Sequence, residues 1–261
     1  MTFQNILLEQ PEPGIYLLTV NRPKALNALN SRTLDEIGEA ADTIARDPSA
    51  RAALVRGAGD KAFVAGADIT EMQNFTEEEG AAFSARGSRA FSRLEAAPVP
   101  VIALVDGYCL GGGCELALAC DWIIATERAV FGQPEVNLGV CAGFGATQRL
   151  TRKIGSSRAL ELLTTGRQVK AEDGLAMGLI SAIVPAGELL ERGLQTARVI
   201  AKKGPLAVRC SKEAVRRGAD LELAAALALE SDLFGRCCAS SDQKEGMAAF
   251  LEKRSPRFSG K

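Results

Sequence analysis

The chain has 261 residues, 47% of them hydrophobic and 24% charged, a composition that suits one large globular domain or a domain with a smaller appendage. Lys plus Arg number 31 and Asp plus Glu 32, so the formal net charge of −1 gives no global pull toward nucleic acid or an anionic membrane. Histidine is absent, which removes Ser-His-Asp and Cys-His nucleophile systems, His-ligated zinc and HExxH, and leaves acid–base work to Asp, Glu, Lys, Tyr or Cys.

Met1 to Gln10 lacks the basic start and apolar centre of a secretory signal, and no uncharged apolar run is long enough to span a bilayer. A soluble cytoplasmic protein is expected. Ile15 to Val20 reads as a strand ended by Asn21-Arg22-Pro23, and Ser31 as the cap of a helix whose Leu34, Ile37, Ala41 and Ile44 share a face. Ala52 to Arg56 and Val99 to Val105 read as buried strands, with a helix over Glu77 to Ala96 between them, stopped by Pro98. Trp122 to Ala125 and Ile180 to Val184 are further short strands. The alternation predicts an α/β domain with its ligands in loops at strand ends.

Beyond about residue 187 the pattern turns wholly helical: Leu189 to Lys202, Leu206 to Arg217, Leu221 to Phe234 and Gln243 to Lys253 carry apolar residues at helical spacing. The expected division is a core over residues 1–195 and a helical region over 196–261. Seven cysteines without a CxxC pair read as small buried hydrophobes, not as a disulfide framework or zinc knuckle, and no metal site is expected. Lys202, Lys203, Arg209, Lys212, Arg216 and Arg217 form a local basic cluster, read as a solvated face or a contact for phosphates.

The chemistry gathers around Gly111-Gly112-Gly113-Cys114-Glu115. Val101 to Val105 predicts a strand, Asp106 to Leu110 a loop and Cys114 to Cys120 a helix, so the glycines sit where exposed N–H groups and the helix dipole favour negative charge. Neither GK[ST] nor a complete GxGxxG fingerprint is present to mark a phosphate. The other anion such donors hold is an oxyanion developing on a carbonyl. A second glycine turn, Phe63-Val64-Ala65-Gly66-Ala67-Asp68-Ile69, offers the Ala67 N–H as partner to that of Gly112. Glu115 read locally is an acid complementing the helix dipole or closing a capping box, and Glu135, in Gly132-Gln133-Pro134-Glu135, a solvated turn acid. Together they make an acid/base pair available, although periodicity does not show that they meet.

"NRPKALNAL" (21–29), "FVAGADITEM" (63–72), "PVIALVDGYCLGGGCELALACD" (100–121), "FGQPEVNLG" (131–139), "GATQRL" (145–150) and "DQKEGMAAFLEKR" (242–254) resemble the enoyl-CoA hydratase, or crotonase, family in unbroken order. The resemblance implies a spiral of repeated ββα units, a helical carboxy-terminal trimerisation region and a homo-hexamer built as a dimer of trimers. It implies an acyl-CoA thioester substrate, with coenzyme A as part of that substrate and no separate cofactor. It carries catalytic roles to Glu115 and Glu135, oxyanion-hole N–H groups to Ala67 and Gly112, and substrate contacts to Ala65, Gly66, Ala67, Asp68, Ile69, Thr70, Gly112 and Gly143.

Isomerising members of that family generally keep one of the two acids, and dehalogenating and decarboxylating members often use histidine, so the resemblance implies hydration of a trans-2-enoyl thioester or its reverse, and Phe144, which resembles the short-chain crotonases, implies a short acyl chain. Enoyl-CoA isomerisation, non-catalytic acyl-CoA binding and RNA binding are the alternatives. Thr70 stands where relatives often carry Lys, Ala142 where they often carry Pro, and Ala146 where they often carry Gly.

Overall fold

In the computed structural model, which describes residues 3–261, ten strands and eleven α-helices follow one another along the chain. The strands are β1 (Ile6–Glu12), β2 (Ile15–Val20), β3 (Ala52–Gly57), β4 (Ala62–Val64), β5 (Val101–Val105), β6 (Tyr108–Leu110), β7 (Trp122–Thr126), β8 (Val130–Gly132), β9 (Gln168–Lys170) and β10 (Ala182–Val184). The helices are α1 (Ser31–Arg46), α2 (Ile69–Met72), α3 (Glu77–Glu95), α4 (Gly112–Leu118), α5 (Ala146–Ile154), α6 (Ser156–Thr165), α7 (Ala171–Ala176), α8 (Leu189–Ala201), α9 (Pro205–Gly218), α10 (Leu223–Cys238) and α11 (Ser241–Leu251).

The apolar runs are strands buried on both faces. In β2, β3, β5 and β7, Leu18, Ala53, Val55, Ala103 and Ile123 face one core, while Leu17, Leu54, Ile102, Leu104 and Ile124 face a second. This double burial is why the segments read as continuous hydrophobic runs instead of alternating ones. The main sheet has the order β1-β2-β3-β5-β7-β10, parallel from β2 to β10, and a smaller sheet has the order β4-β6-β8-β9. The pairs β3–β4, β5–β6 and β7–β8 each give one strand to each sheet before the chain enters a helix. Three ββα units thus wind past the two sheets, which is the spiral that the family resemblance implies.

Several expected boundaries move. Asn30, not Ser31, caps α1: its Oδ1 accepts the Thr33 N–H at 2.9 Å, and Ser31 donates its own N–H to Glu71 Oε2 at 2.8 Å. The expected apolar face of Leu34, Ile37, Ala41 and Ile44 is buried. The strand expected from Val99 begins at Val101, and the one expected from Ile180 begins at Ala182. The segment expected to be a loop over Asp106 to Leu110 contains β6, three residues paired between β4 and β8.

Helix α8 covers the second core, placing Leu189 and Ala197 against the sheet. Past it, α9, α10 and α11 leave Val215, Leu223, Phe234, Phe250 and Leu251 exposed. The basic face of α9 is neither solvated nor free for phosphates. Lys212 lies 2.8 Å from Asp121 and donates to the Val99 carbonyl, Arg216 pairs with Asp121 and Glu95, and Arg209 reaches the Pro48 carbonyl. These three cations turn inward to meet acids and carbonyls of the core, whereas Lys202, Lys203 and Arg217 stay exposed.

Candidate active site

The site is built on the junction between β6 and α4. Gly111 turns the chain at φ +49°, donating its N–H to the Gly132 carbonyl at 2.9 Å and so closing the ladder between β6 and β8. The helix starts at Gly112, two residues earlier than the expected Cys114, and ends at Leu118. The Gly112 N–H therefore belongs to the first helical turn, where no carbonyl four residues back can accept it within the helix. Gly113 admits no larger residue, because a Cβ there would sit 2.0 Å from the Val64 carbonyl oxygen. That contact presses the helix start against the end of β4, and the chain leaving β4 carries Ala65 to Thr70.

Leu29 straps this second turn from both sides. It donates its N–H to the Gly66 carbonyl at 2.9 Å and accepts the Asp68 N–H at 2.8 Å, while Ala65 donates to Leu26 at 3.0 Å. The Ala67 N–H lies outside this bridge, and no acceptor for it exists among the described residues. Asp68 caps α2 through Thr70 and pairs with Arg22 at 2.8 Å. The Thr70 hydroxyl and the Arg22 guanidinium together hold the Asp68 carboxyl below its ordinary range, against a burial effect that works the other way. Ile69 and Thr70 are exposed, and Gly66 stands beside the Leu110 carbonyl at the end of β6. The two glycine turns are thus neighbours.

Glu115 does not close a capping box. The Gly111 N–H is already committed to Gly132, and the side chain, 1% exposed, points instead to the start of α5. Its Oε1 accepts the Phe144 N–H at 2.7 Å and the Ala146 N–H at 2.9 Å. Burial raises its carboxyl to about 7, with the nearby Glu135 charge adding to the rise and the two amides and Arg149 opposing it.

Glu135, expected locally to be a solvated turn acid, is half-buried in the single helical turn Pro134–Leu138, and burial raises its carboxyl too. Its carboxylate lies over Gly111, where a Cβ would come within 2.7 Å of Oε1. The buried Gln133 amide, turned nitrogen-inward as its neighbours require, donates to both Glu135 oxygens at 3.1 Å. The structure therefore brings Glu115, Glu135 and Gly112 to one place, with the Ala67 turn beside it. Gly143 sits just before the Phe144 amide, its carbonyl accepting the Ser84 and Ser88 hydroxyls at 2.5 and 3.3 Å.

Sequence reading missed the groups that hold the two acids, namely the Phe144 and Ala146 amides and Gln133, and the Leu29 and Arg22 straps that hold the Ala67 turn. The amides carry no side-chain signal at all. Arg22 and Leu29 lie within "NRPKALNAL", where only the resemblance marked them. Phe144 itself is buried, edge-on to Phe83 and Phe91 with ring centroids 5.2 and 5.7 Å away, and its ring lies against Gly112. No group of three or more Asp, Glu or Cys side chains among the described residues is arranged to hold a metal ion.

The Enoyl-CoA hydratase/isomerase family profile matches residues 10–261. The chain is 48% identical over 261 residues, 100% of this chain and 100% of the relative, to a crotonyl-CoA hydratase of Syntrophomonas wolfei. It is 46% identical over 254 residues, 97% of each, to a short-chain-enoyl-CoA hydratase of Clostridium acetobutylicum. An enoyl-CoA hydratase of Bacillus anthracis, 38% identical, superposes with a TM-score of 0.96 over 99% of this chain and 100% of its own. The ββα spiral, the unbroken run of motifs and these likenesses agree, and the chain belongs to the enoyl-CoA hydratase/isomerase family.

Proposed function

We propose that the chain is a hydro-lyase, an enoyl-CoA hydratase that reversibly adds water to a short trans-2-enoyl-CoA to give the 3-hydroxyacyl thioester. The observation that carries the reading is a pair of carboxyls, Glu115 and Glu135, both raised by burial and electrostatically coupled beside the unpaired N–H groups of a helix start. The names of the two bacterial relatives support the reaction and the short chain.

In this reading the thioester oxygen takes the N–H groups of Ala67 and Gly112. Negative charge that builds on that oxygen as water attacks Cβ is met by donors already fixed in place by Leu29 and by the helix start. Glu115 orients the water and removes its proton. Glu135 shares the water and delivers a proton to Cα as the enolate collapses, so that one hydroxyl and one hydrogen are added. A carboxyl near pH 7 is suited to both halves of this exchange, since it gives and takes a proton at small cost. Each proton belongs to the coupled pair, which is why the raised values of both acids matter.

Residues Ala65 to Thr70, with Gly143, are proposed to contact the CoA thioester. The Phe144 ring against Gly112 is proposed to limit the acyl chain. CoA enters only as part of the substrate. The exposed apolar residues of α10 and α11, with Phe250 at 82% and Leu251 at 80%, support a homo-oligomer and, with the family pattern, a hexamer. Residues 1–195 would then form the catalytic core and 196–261 the oligomer contacts. No helix among the described residues is long and apolar enough to cross a membrane, and the same reading places the protein in the cytoplasm without a nucleic-acid partner.

The test is to add purified protein to crotonyl-CoA and follow the loss of the conjugated thioester absorbance, then to approach the same equilibrium from 3-hydroxybutyryl-CoA. Turnover in both directions is expected. Conversion of a 3-enoyl-CoA to its conjugated isomer without hydration would replace the reading with the isomerase one.

A further inference from the structure

Glu115 is held by a turn, and the turn is held by Arg149. The Phe144 carbonyl accepts Arg149 Nη1 at 3.0 Å, on the same residue whose N–H reaches Glu115. The guanidinium, largely buried, then forks onto Glu95 Oε2 through Nε at 3.0 Å and Nη2 at 2.8 Å, with a further bond to the Ser92 hydroxyl at 3.1 Å. Glu95 is in turn bound by Arg216 of α9, which also grips Asp121 Oδ1 at 3.0 and 3.1 Å. Asp121 closes the chain by accepting the Val101 N–H at 2.7 Å and pairing with Lys212 at 2.8 Å. A continuous line of charge-assisted bonds thus runs from helix α9 through the end of α3 to the turn that carries the Glu115 donors.

Resting on the proposed hydratase reading, we infer that Arg149 is a positioning residue for Glu115: through the Phe144 carbonyl and its fork on Glu95 it fixes the two N–H groups that aim the Glu115 carboxylate. The geometry favours this over a merely structural ion pair. An arginine anchored only for stability has no need to spend an N–H on the carbonyl of the residue that grips Glu115. A planar fork also sets direction in a way that a lysine ammonium does not. Arg149 and Glu135 are the charged groups that act on Glu115, and they act in opposite senses.

The test compares Arg149→Met, Arg149→Lys and Glu95→Gln in the full-length protein, by kcat, KM and pH profile with crotonyl-CoA. Infrared titration of the Glu115 carboxyl, assigned against Glu115→Gln, is read alongside. A displacement of about 1 Å at a reacting group costs up to about 100-fold in rate, so Arg149→Met is expected to lose roughly 10- to 100-fold in kcat with KM changed less than about threefold. Its Glu115 titration is expected to move to higher pH, because a positive charge is gone. Arg149→Lys is expected to keep the titration near the wild-type position yet still lose kcat, having the charge without the fork. Glu95→Gln, which leaves Arg149 in place but loosens its anchor, is expected to lose kcat without that upward move.

An Arg149→Met enzyme with wild-type kcat, a loss confined to KM, or an unmoved Glu115 titration overturns the inference. Should Arg149→Met fail to fold, a wild-type kcat in Glu95→Gln overturns it instead. The infrared titration needs no turnover, so failure of the hydratase reading and failure of this inference are told apart.

Discussion

The Phe144 N–H lies 2.7 Å from Glu115 Oε1, joining residues 29 apart in sequence and fixing an acid inside the protein with a bond to main chain alone. A backbone donor cannot be lost by side-chain rotation, and it stabilises the carboxylate without supplying a full counter-charge. Burial outweighs it, and the acid rests at about 7. That balance suits the proton exchange proposed for Glu115.

The pH dependence of hydration follows from the signs. In the proposed roles Glu115 must be ionised to take the proton of water and Glu135 must hold a proton to deliver it, yet the Glu135 charge raises Glu115, so Glu135 is the first of the two to ionise. The productive form is therefore the minor one of the singly protonated pair, and kcat for hydration is expected to follow a bell whose falling limb lies near pH 7. A rate flat from pH 5 to 9 would contradict the assignment of both acids.

Stability should depend on the same proton. The Glu115 carboxyl is raised in the folded protein from 4.5 to about 7, so the unfolded chain binds fewer protons across that interval. The stability linked to its protonation is fully present below about pH 4.5 and is lost as pH rises through about 7, a difference on the order of 3 kcal/mol. Glu115→Gln stays neutral and still accepts the Phe144 and Ala146 amides. Denaturant titration should find it more stable than wild type at pH 8.5, with the gap closing at pH 5. A gap that widens toward acid would show the sign to be wrong.

How much of this was legible in the sequence depended on distance along the chain. The strands at Ala52 and Val101 were readable because both faces are buried and the residues form unbroken apolar runs. Strands β4, β6 and β8 hold three residues each, too few to show any period, and β6 was expected to be a loop. The two acids and the Ala67 and Gly112 turns were reachable through glycine placement and the family motifs. Their anchors were not, because Phe144 and Ala146 act through main-chain N–H groups that any residue other than proline possesses. The α9 cations show the complementary failure: charges at helical spacing look the same whether water or Asp121 and Glu95 faces them.

Gly111→Ala is a test of the Glu135 seat. The backbone there has φ +49°, and the new methyl would meet Glu135 Oε1 at 2.7 Å, so the acid must move. A kcat loss of at least about 10-fold, with folding retained by circular dichroism, is expected from displacing the group proposed for proton transfer. An unchanged kcat would remove Glu135 from the chemistry.

Phe144→Ala should act on specificity and stability together. Removing a buried aromatic ring typically costs about 3–5 kcal/mol, visible as a lowered melting temperature. The space opened beside Gly112 is expected to raise kcat/KM for an eight-carbon enoyl-CoA relative to the four-carbon one. A ratio unchanged from wild type would mean that the acyl chain runs elsewhere.

Charge placed on the exposed apolar end of α11 should break the proposed subunit contacts. Phe250→Asp combined with Leu251→Asp is expected to give a smaller particle than wild type in sedimentation velocity. Particles of equal size would show that these side chains are not at an interface.

The most direct measurement is kcat for crotonyl-CoA hydration with Glu115→Gln and Glu135→Gln, each nearly isosteric with the acid it replaces. General acid–base groups contribute about 10²–10⁴-fold, so each variant is predicted to lose about 100-fold or more while remaining folded. Full activity in either one would contradict the two-carboxyl account.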